Sequence, residues 1–368
     1  MIVYFSLLIP ILTIIYLLSY YKREVVWWEV LVVLVIPIVC VIGVKVISKN
    51  SLIYTTEYWN SPTTQAIYYE DWDEKVPCCH TRFCTDSKGD SYACGTLHAY
   101  DVDYHPERWV IHGGSGERLQ VSKNVFEMLS KRWNSRKFKD MHRSYHSDDG
   151  DAYIATWDQK FESMEPIATV HKYKNKVKCT DSVFNFKKID PKVTKVFEYN
   201  QPYGYVCNYI YGESNKKDQD LLRKWNAKIG AKKKALIIII VFKGQISAAM
   251  DQEAYWKGGN KNEFVVCVGT NKSNDIKWTH VISWTPQTIL KAQIMREVKE
   301  MEKLDMPVLI NYLGSIIENT RGFIRRDFEE FDYLNVPVPL WGIIVCYMLS
   351  LILSIGLGIF VVKNDQVN

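Results

Sequence analysis

The sequence predicts an α+β membrane protein: an N-terminal transmembrane helical hairpin, a β-rich part, an α/β part and a C-terminal transmembrane helix. Three observations predict it. Strongly apolar sequence is gathered at the two ends of the 368 residues, although a mean hydropathy of −0.15 describes an ordinary soluble chain. Between the ends, short Tyr-, Trp-, Thr- and Val-rich runs alternate with turn signals up to about residue 190. Beyond that point helical and buried-strand patterns alternate, as in an α/β layer. The composition itself excludes a many-span transporter, collagen, a coiled-coil rod and a disordered tail.

Residues 2–20 carry no charge and match the roughly 20 residues that a helix needs to cross a bilayer. Nothing basic precedes the run and Lys22-Arg23 follow it, so a spanning helix is expected and a cleaved signal peptide is not. A second span is expected over residues 25–47, where Glu29 and Lys45 lie near the ends and can snorkel. Trp27 and Trp28 suit an interfacial belt, and Pro10 and Pro37 are candidate kinks. The third expected span, residues 336–362, begins with Pro337 and Pro339, holds Trp341 at its entry and ends at Lys363. The expected organisation is therefore 1–49 (hairpin), 50–193 (β-rich), 194–335 (α/β) and 336–368 (helix and tail).

Lys22 and Arg23 in the short link favour a cytoplasmic link, which puts the middle domain outside the bacterial inner membrane. Lys45, Lys49, Arg321, Arg325 and Arg326 pull the other way. Residues 1–49 carry a net +2 and residues 336–368 a net 0, which leaves +3 of the chain's +5 in the middle. That is too little, and too scattered, for a nucleic-acid binder. The short basic clusters at 172–178 and 232–234 read as solvated strand edges or helix ends.

Within the β-rich part, Asp86 to Gly89, Gly113 to Gly116 and Ser147 to Gly150 mark turns. Ser122 is placed to cap a helix carrying Val125, Phe126, Leu129 and Trp133 at helical spacing. In the α/β part a helix is expected over 219–228, closing at Gly230. A doubly buried strand is expected over 235–242, a helix over 247–256, strands over 263–269 and 276–284, and helices over 287–330.

The densest chemistry lies at Cys78-Cys79-His80, Cys84, Cys94 and His98. In an oxidising compartment a hairpin turning at Asp86-Ser87-Lys88-Gly89 brings Cys84 and Cys94 within reach of a disulfide, with Cys78 or Cys79 as rival partners. In the cytoplasm, Cys79, Cys84, Cys94 and His98 form an alternative zinc set, without the CxxC knuckle that zinc ribbons carry. With Cys179, Cys207 and Cys267 the middle domain holds seven cysteines, an odd number that leaves at least one unpaired within the chain. His105, His112, His142 and His146 lie near Asp101, Asp103, Asp148, Asp149 and Asp151, residue types that hydrolytic metal sites use. No HExxH spacing is present, so polar hairpin rims are the simpler expectation. Ser147-Asp-Asp-Gly-Asp151 lacks the alternating ligands of an EF-hand and reads as a turn. Nucleophile-elbow and phosphate-loop motifs are missing, His112-Gly-Gly-Ser-Gly116 reads as a turn, and Asn271-Lys-Ser273 is a bare sequon.

Leu236 to Val241, the helix end Tyr255-Trp256-Lys257-Gly258-Gly259 and Phe264 to Val268 together resemble the TPM domain, a membrane-tethered α/β module, over roughly residues 219–284. Some members of that family are linked with phosphatase activity and calcium binding. This chain has Asn260-Lys261-Asn262-Glu263 where the family has an Asp-Asn-Gly turn, and it has no copy of the family's opening acidic motif. Tyr69-Glu-Asp-Trp72, Asp103-Tyr-His-Pro-Glu107, Tyr255 to Val265 and Phe331-Asp-Tyr-Leu334 resemble three-span membrane proteins of large tailed bacteriophages and some bacteria. That resemblance implies the three-span layout and no particular activity.

The expected function is non-enzymatic: a binding or scaffolding module without cofactor, held at the membrane face and contacting the bilayer and another envelope protein. Trp72, Trp109, Trp133 and Trp157 enrich it in residues that favour interfaces. The alternative is a TPM-like, membrane-anchored, metal-dependent phosphatase or other hydrolase. Remodelling of a host envelope is the role that the phage resemblance implies.

Overall fold

The computed structural model describes residues 2–21, 27–78, 80–141, 150–180, 186–201, 204, 207–319 and 322–364. The chain forms two units, one of Met1–Glu57, Lys172–Lys188 and Asp327–Asn368, the other of Tyr58–His171 and Ile189–Arg326. In chain order the first elements are helices α1 (Leu8–Tyr21) and α2 (Trp27–Ile53) and strands β1 (Tyr54–Tyr69), β2 (Trp72–Pro77), β3 (Thr81–Thr85), β4 (Ser91–Thr96), β5 (Tyr100–His105), β6 (Arg108–Gly113) and β7 (Arg118–Val121). Helix α3 (Lys123–Trp133) precedes β8 (Lys137–Lys139), β9 (Ala152–Thr156), β10 (Pro166–Lys174) and β11 (Ile210–Tyr211). Then come α4 (Lys216–Lys233), β12 (Leu236–Phe242), α5 (Ser247–Tyr255), β13 (Glu263–Thr270), β14 (Ile276–Ser283), α6 (Thr288–Glu300), α7 (Met306–Glu318) and α8 (Leu340–Asn364). The fold is mixed α+β with apolar helices near both ends.

In the first unit α2 and the stretch Leu340–Val361 of α8 are long and apolar enough to cross a membrane. The first apolar run opens as a 3-10 segment, Ile2–Leu7, that runs directly into the 14-residue α1, so helical geometry continues over residues 2–21. Pro10 sits in the first turn of α1, three residues beyond the end of the 3-10 segment.

These helices bury small and polar residues, with Val33 and Val41 of α2 beside them, and expose many of their large apolar ones. Ser6, Ser48, Cys346, Ser350 and Ser354 are fully buried, whereas Leu12, Val39, Ile47, Ile344, Ile352 and Ile359 are exposed. Ser350 Oγ donates to the Ser6 carbonyl at 2.7 Å. A Cβ on Gly342 would stand 2.7 Å from Ser48 Cβ, so the glycine is what lets α8 meet α2 at that point.

The second unit holds a six-stranded antiparallel sheet ordered β7-β6-β1-β9-β8, with β10 also on β1. Helix α3 lies on it, and all four of its expected apolar positions are buried among Ala66, Ile111, Ala155 and Ile167. Two ribbons, β2 with β5 and β3 with β4, stand apart from this sheet in the pairing. A separate four-stranded sheet, β11-β12-β13-β14, is parallel through its first three strands and antiparallel at β14. Every residue of β12 and β13 is buried, as the continuous apolar runs require.

Helix α4 starts earlier and ends later than the sequence pattern suggests. Asn215 Oδ1 accepts the Asp218 N–H at 2.9 Å and sets the start, an N-cap that the apolar spacing does not reveal. Gly230 lies inside the helix instead of closing it. A Cβ there would be 2.3 Å from the Asn60 carbonyl oxygen, so this glycine serves close packing, and Lys234 takes the left-handed cap conformation.

Candidate metal centre

Residues 72–105 form a two-stranded arm with a break in the middle. Its inner half pairs Trp72 with His105 through Pro77 with Tyr100, and its outer half pairs Thr81 with Thr96 through Thr85 with Ser91. The tip is set by Asp86, whose Oδ1 accepts the Lys88 and Asp90 N–H groups at 2.8 and 2.9 Å. Gly89 takes a φ of 92° there, which suits a residue without a Cβ. Such ribbons are marginal by themselves because they have no third layer to bury against. Phe83, Tyr92, Leu97, Val102 and Tyr104 on this arm are exposed, so apolar burial supplies little of its rigidity.

Covalent and polar links take that role. Cys84 and Cys94 form a disulfide across the outer half, with Cα atoms 5.7 Å apart. The break between the halves gathers Cys78, His80, His98 and Asp101, with one donor atom from each within 4.8 Å of all the others. Cys78 follows β2 and His80 precedes β3; His98 lies in the link from β4 to β5 and Asp101 in β5 itself. The Leu97 N–H bonds to the His80 carbonyl at 2.9 Å and holds the two sides of the break together.

The Cys78 thiol, buried and outside any disulfide, lies 3.6 Å from His80 Nδ1, and its sulfur accepts the His80 N–H at 3.3 Å. Asp101 Oδ2 is 3.6 Å from His80 Nδ1, and Asp101 Oδ1 meets His98 Nε2. These contacts, the one to His98 foremost, hold the Asp101 carboxyl below the usual carboxylate range. Along the inner half, Glu74, Asp103 and His105 form a second cluster. Glu74 is buried opposite Asp103 in the register, and His105 Nε2 lies 2.8 Å from Glu74 Oε2, a contact that offsets the repulsion of the facing carboxylates.

The zinc set Cys79, Cys84, Cys94 and His98 is not assembled. Cys84 and Cys94 are bonded to each other, His98 turns to Asp101, and Cys79 lies outside the described residues. Of the broader histidine and aspartate group, Asp103 and His105 come together beside Glu74 and Asp101 joins the first cluster. His105 pairs with Glu74, and His112 sits in β6, its pKa lowered by burial and then by Arg118. Asp151 accepts the Met141 N–H, while His142, His146, Asp148 and Asp149 lie outside the described residues. The glycine stretch before Glu117 is a tight turn, with Gly113 N–H on the Glu117 carbonyl at 2.8 Å.

The turn at Asn260 does not present carboxylates to a cation. Glu263 is buried there, and its oxygens accept the Asn260 N–H at 2.8 Å, the Asn260 amide at 2.7 Å and the Tyr199 hydroxyl. Burial and then the Glu263 charge push the Tyr199 pKa well up, which keeps its hydroxyl a donor. Cys267 is buried in β13, and Cys207 is buried in the same hydrophobic core.

Cys78, His80 and His98 stand out in the sequence, but their grouping with Asp101 does not, because these donors face each other across a ribbon. The signal was present as a reflection: Cys78-x-His80 and His98-x-x-Asp101 fall on opposite sides of the turn at Asp86 to Gly89. Compared with known protein families, curated proteins and solved structures, the chain finds no match.

Proposed function

We propose that the chain is an integral protein of the bacterial inner membrane, of the kind carried by large tailed bacteriophages and bacteria. Three apolar segments anchor it, and its α+β domain works outside the cytoplasm as a non-enzymatic binding or scaffolding module. The observation that carries the anchoring is the inverted pattern of α8, with Gly342, Cys346, Ser350 and Ser354 inside and Ile344, Ile352 and Ile359 outside. Only 17% of the most apolar window of α2 and 22% of that of α8 is buried, against the near-complete burial of a core helix in a soluble protein. Lipid is the solvent in which such outward faces cost nothing.

The Cys84–Cys94 pair supports export, since disulfides persist in oxidising compartments. A TPM-like plan for residues 219–284 rests on the order α4, β12, α5 and β13, and it carries no hydrolytic role because the Glu263 oxygens are engaged. The exposed aromatic residues of the arm, Phe83, Tyr92 and Tyr104, are the contact surface for an envelope protein in this reading.

The test is sidedness. In intact spheroplasts an impermeant thiol reagent is expected to label Cys84 and Cys94 only after reduction, scored against a chain with both replaced by serine. Labelling that appears only after the membrane is opened would place the domain inside and overturn the export.

A further inference from the structure

We infer that Cys78, His80, His98 and Asp101 bind one zinc-type divalent cation, which clamps the break in the 72–105 arm. Three independent features of the cluster carry this.

The first is geometry. A tetrahedral ion with bonds of about 2.3 Å to sulfur and about 2.0 Å to nitrogen or oxygen holds its donors roughly 3.3–3.6 Å apart. Cys78 Sγ to His80 Nδ1 and His80 Nδ1 to Asp101 Oδ2 are both 3.6 Å, the length of two edges of such a polyhedron. His98 Nε2, within 4.8 Å of the other three donors, supplies the fourth corner.

The second is donor chemistry. One thiolate and two imidazoles select zinc-like ions over magnesium or calcium, which take oxygen. Four protein donors leave no open position, so the site is structural and not catalytic. Binding exchanges the Cys78 S–H for an S–metal bond and releases that proton to solvent. The His80 N–H directed at the sulfur holds it in place within the cluster.

The third is mechanical need. The strand pairing stops at Pro77 with Tyr100 and resumes at Thr81 with Thr96. A two-stranded ribbon gains from a staple, and the disulfide secures only the outer half. The four donors come from both strands at the point where the ladder is interrupted. An ion there would join the halves and leave the aromatic outer half in one fixed orientation.

The experiment uses the full chain in detergent, stripped with chelator and titrated with Co²⁺. The expected result is one Co²⁺ per chain, with the intense visible bands of four-coordinate cobalt and a thiolate-to-cobalt charge-transfer band, both removed by Zn²⁺. Cys78→Ser should abolish the charge-transfer band, and His98→Ala should weaken binding by about tenfold or more. Glu74→Gln, in the neighbouring cluster, should leave the spectrum unchanged. A spectrum without sulfur charge transfer, one that survives Cys78→Ser, or one that follows Glu74→Gln would overturn the assignment. If the cysteine variant does not fold, X-ray absorption of the zinc-loaded natural chain decides. One sulfur at about 2.3 Å with nitrogen and oxygen at about 2.0 Å supports the site, and a shell with no sulfur or two sulfurs refutes it.

Discussion

Strand β12 and helix α8 are built from the same aliphatic residues and dispose of them in opposite ways. In β12, Leu-Ile-Ile-Ile-Ile-Val-Phe, no side chain is more than 6% exposed. In α8, Ile352 and Ile359 are more than half exposed while Ser350 and Ser354 are fully buried. Hydropathy alone makes no distinction between them. The strand is covered by its own protein on both faces, whereas the helix packs through its small residues and leaves its large ones to the surroundings. The difference teaches that the direction in which apolar groups point, more than their number, records the solvent for which a segment was made.

Substitutions at matched positions can break that comparison. The largest effect is expected for Ile239→Ala in β12, which empties part of a closed core and should cost about 2–5 kcal/mol in thermal or denaturant unfolding of the detergent-solubilised chain. Ser350→Ala should cost about 0.6 kcal/mol through the lost bond to the Ser6 carbonyl, and Ile352→Ala, which opens no cavity, less still. Equal losses at Ile239 and Ile352 would mean that α8 is packed in protein on all sides.

Long unbroken patterns were legible in the sequence for plain physical reasons. The buried run at 235–242 and the helical spacing of Val125, Phe126, Leu129 and Trp133 are local signals, and the fold follows them. Elements set by non-local contact were not legible. The passage of α4 through Gly230 depends on the Asn60 backbone, which is distant in sequence. The site shows the same division. The turn at Asp86 to Gly89 made the Cys84 and Cys94 pairing readable. The Cys78 and Asp101 cluster depends on a ladder interrupted on both strands, so its spacing becomes readable only when the sequence is folded back about that turn.

The inverted burial of α8 is tested most directly by nitroxide spin labels placed singly at Ile352 and Ser354 in the chain reconstituted into bilayers. The label at position 352 should collide freely with oxygen, which concentrates in lipid, and hardly at all with a water-soluble nickel complex. At position 354 it should be shielded from both. Strong nickel collisions at position 352, or equal shielding at the two positions, would contradict a lipid-facing helix and with it the membrane anchoring on which the proposed function rests.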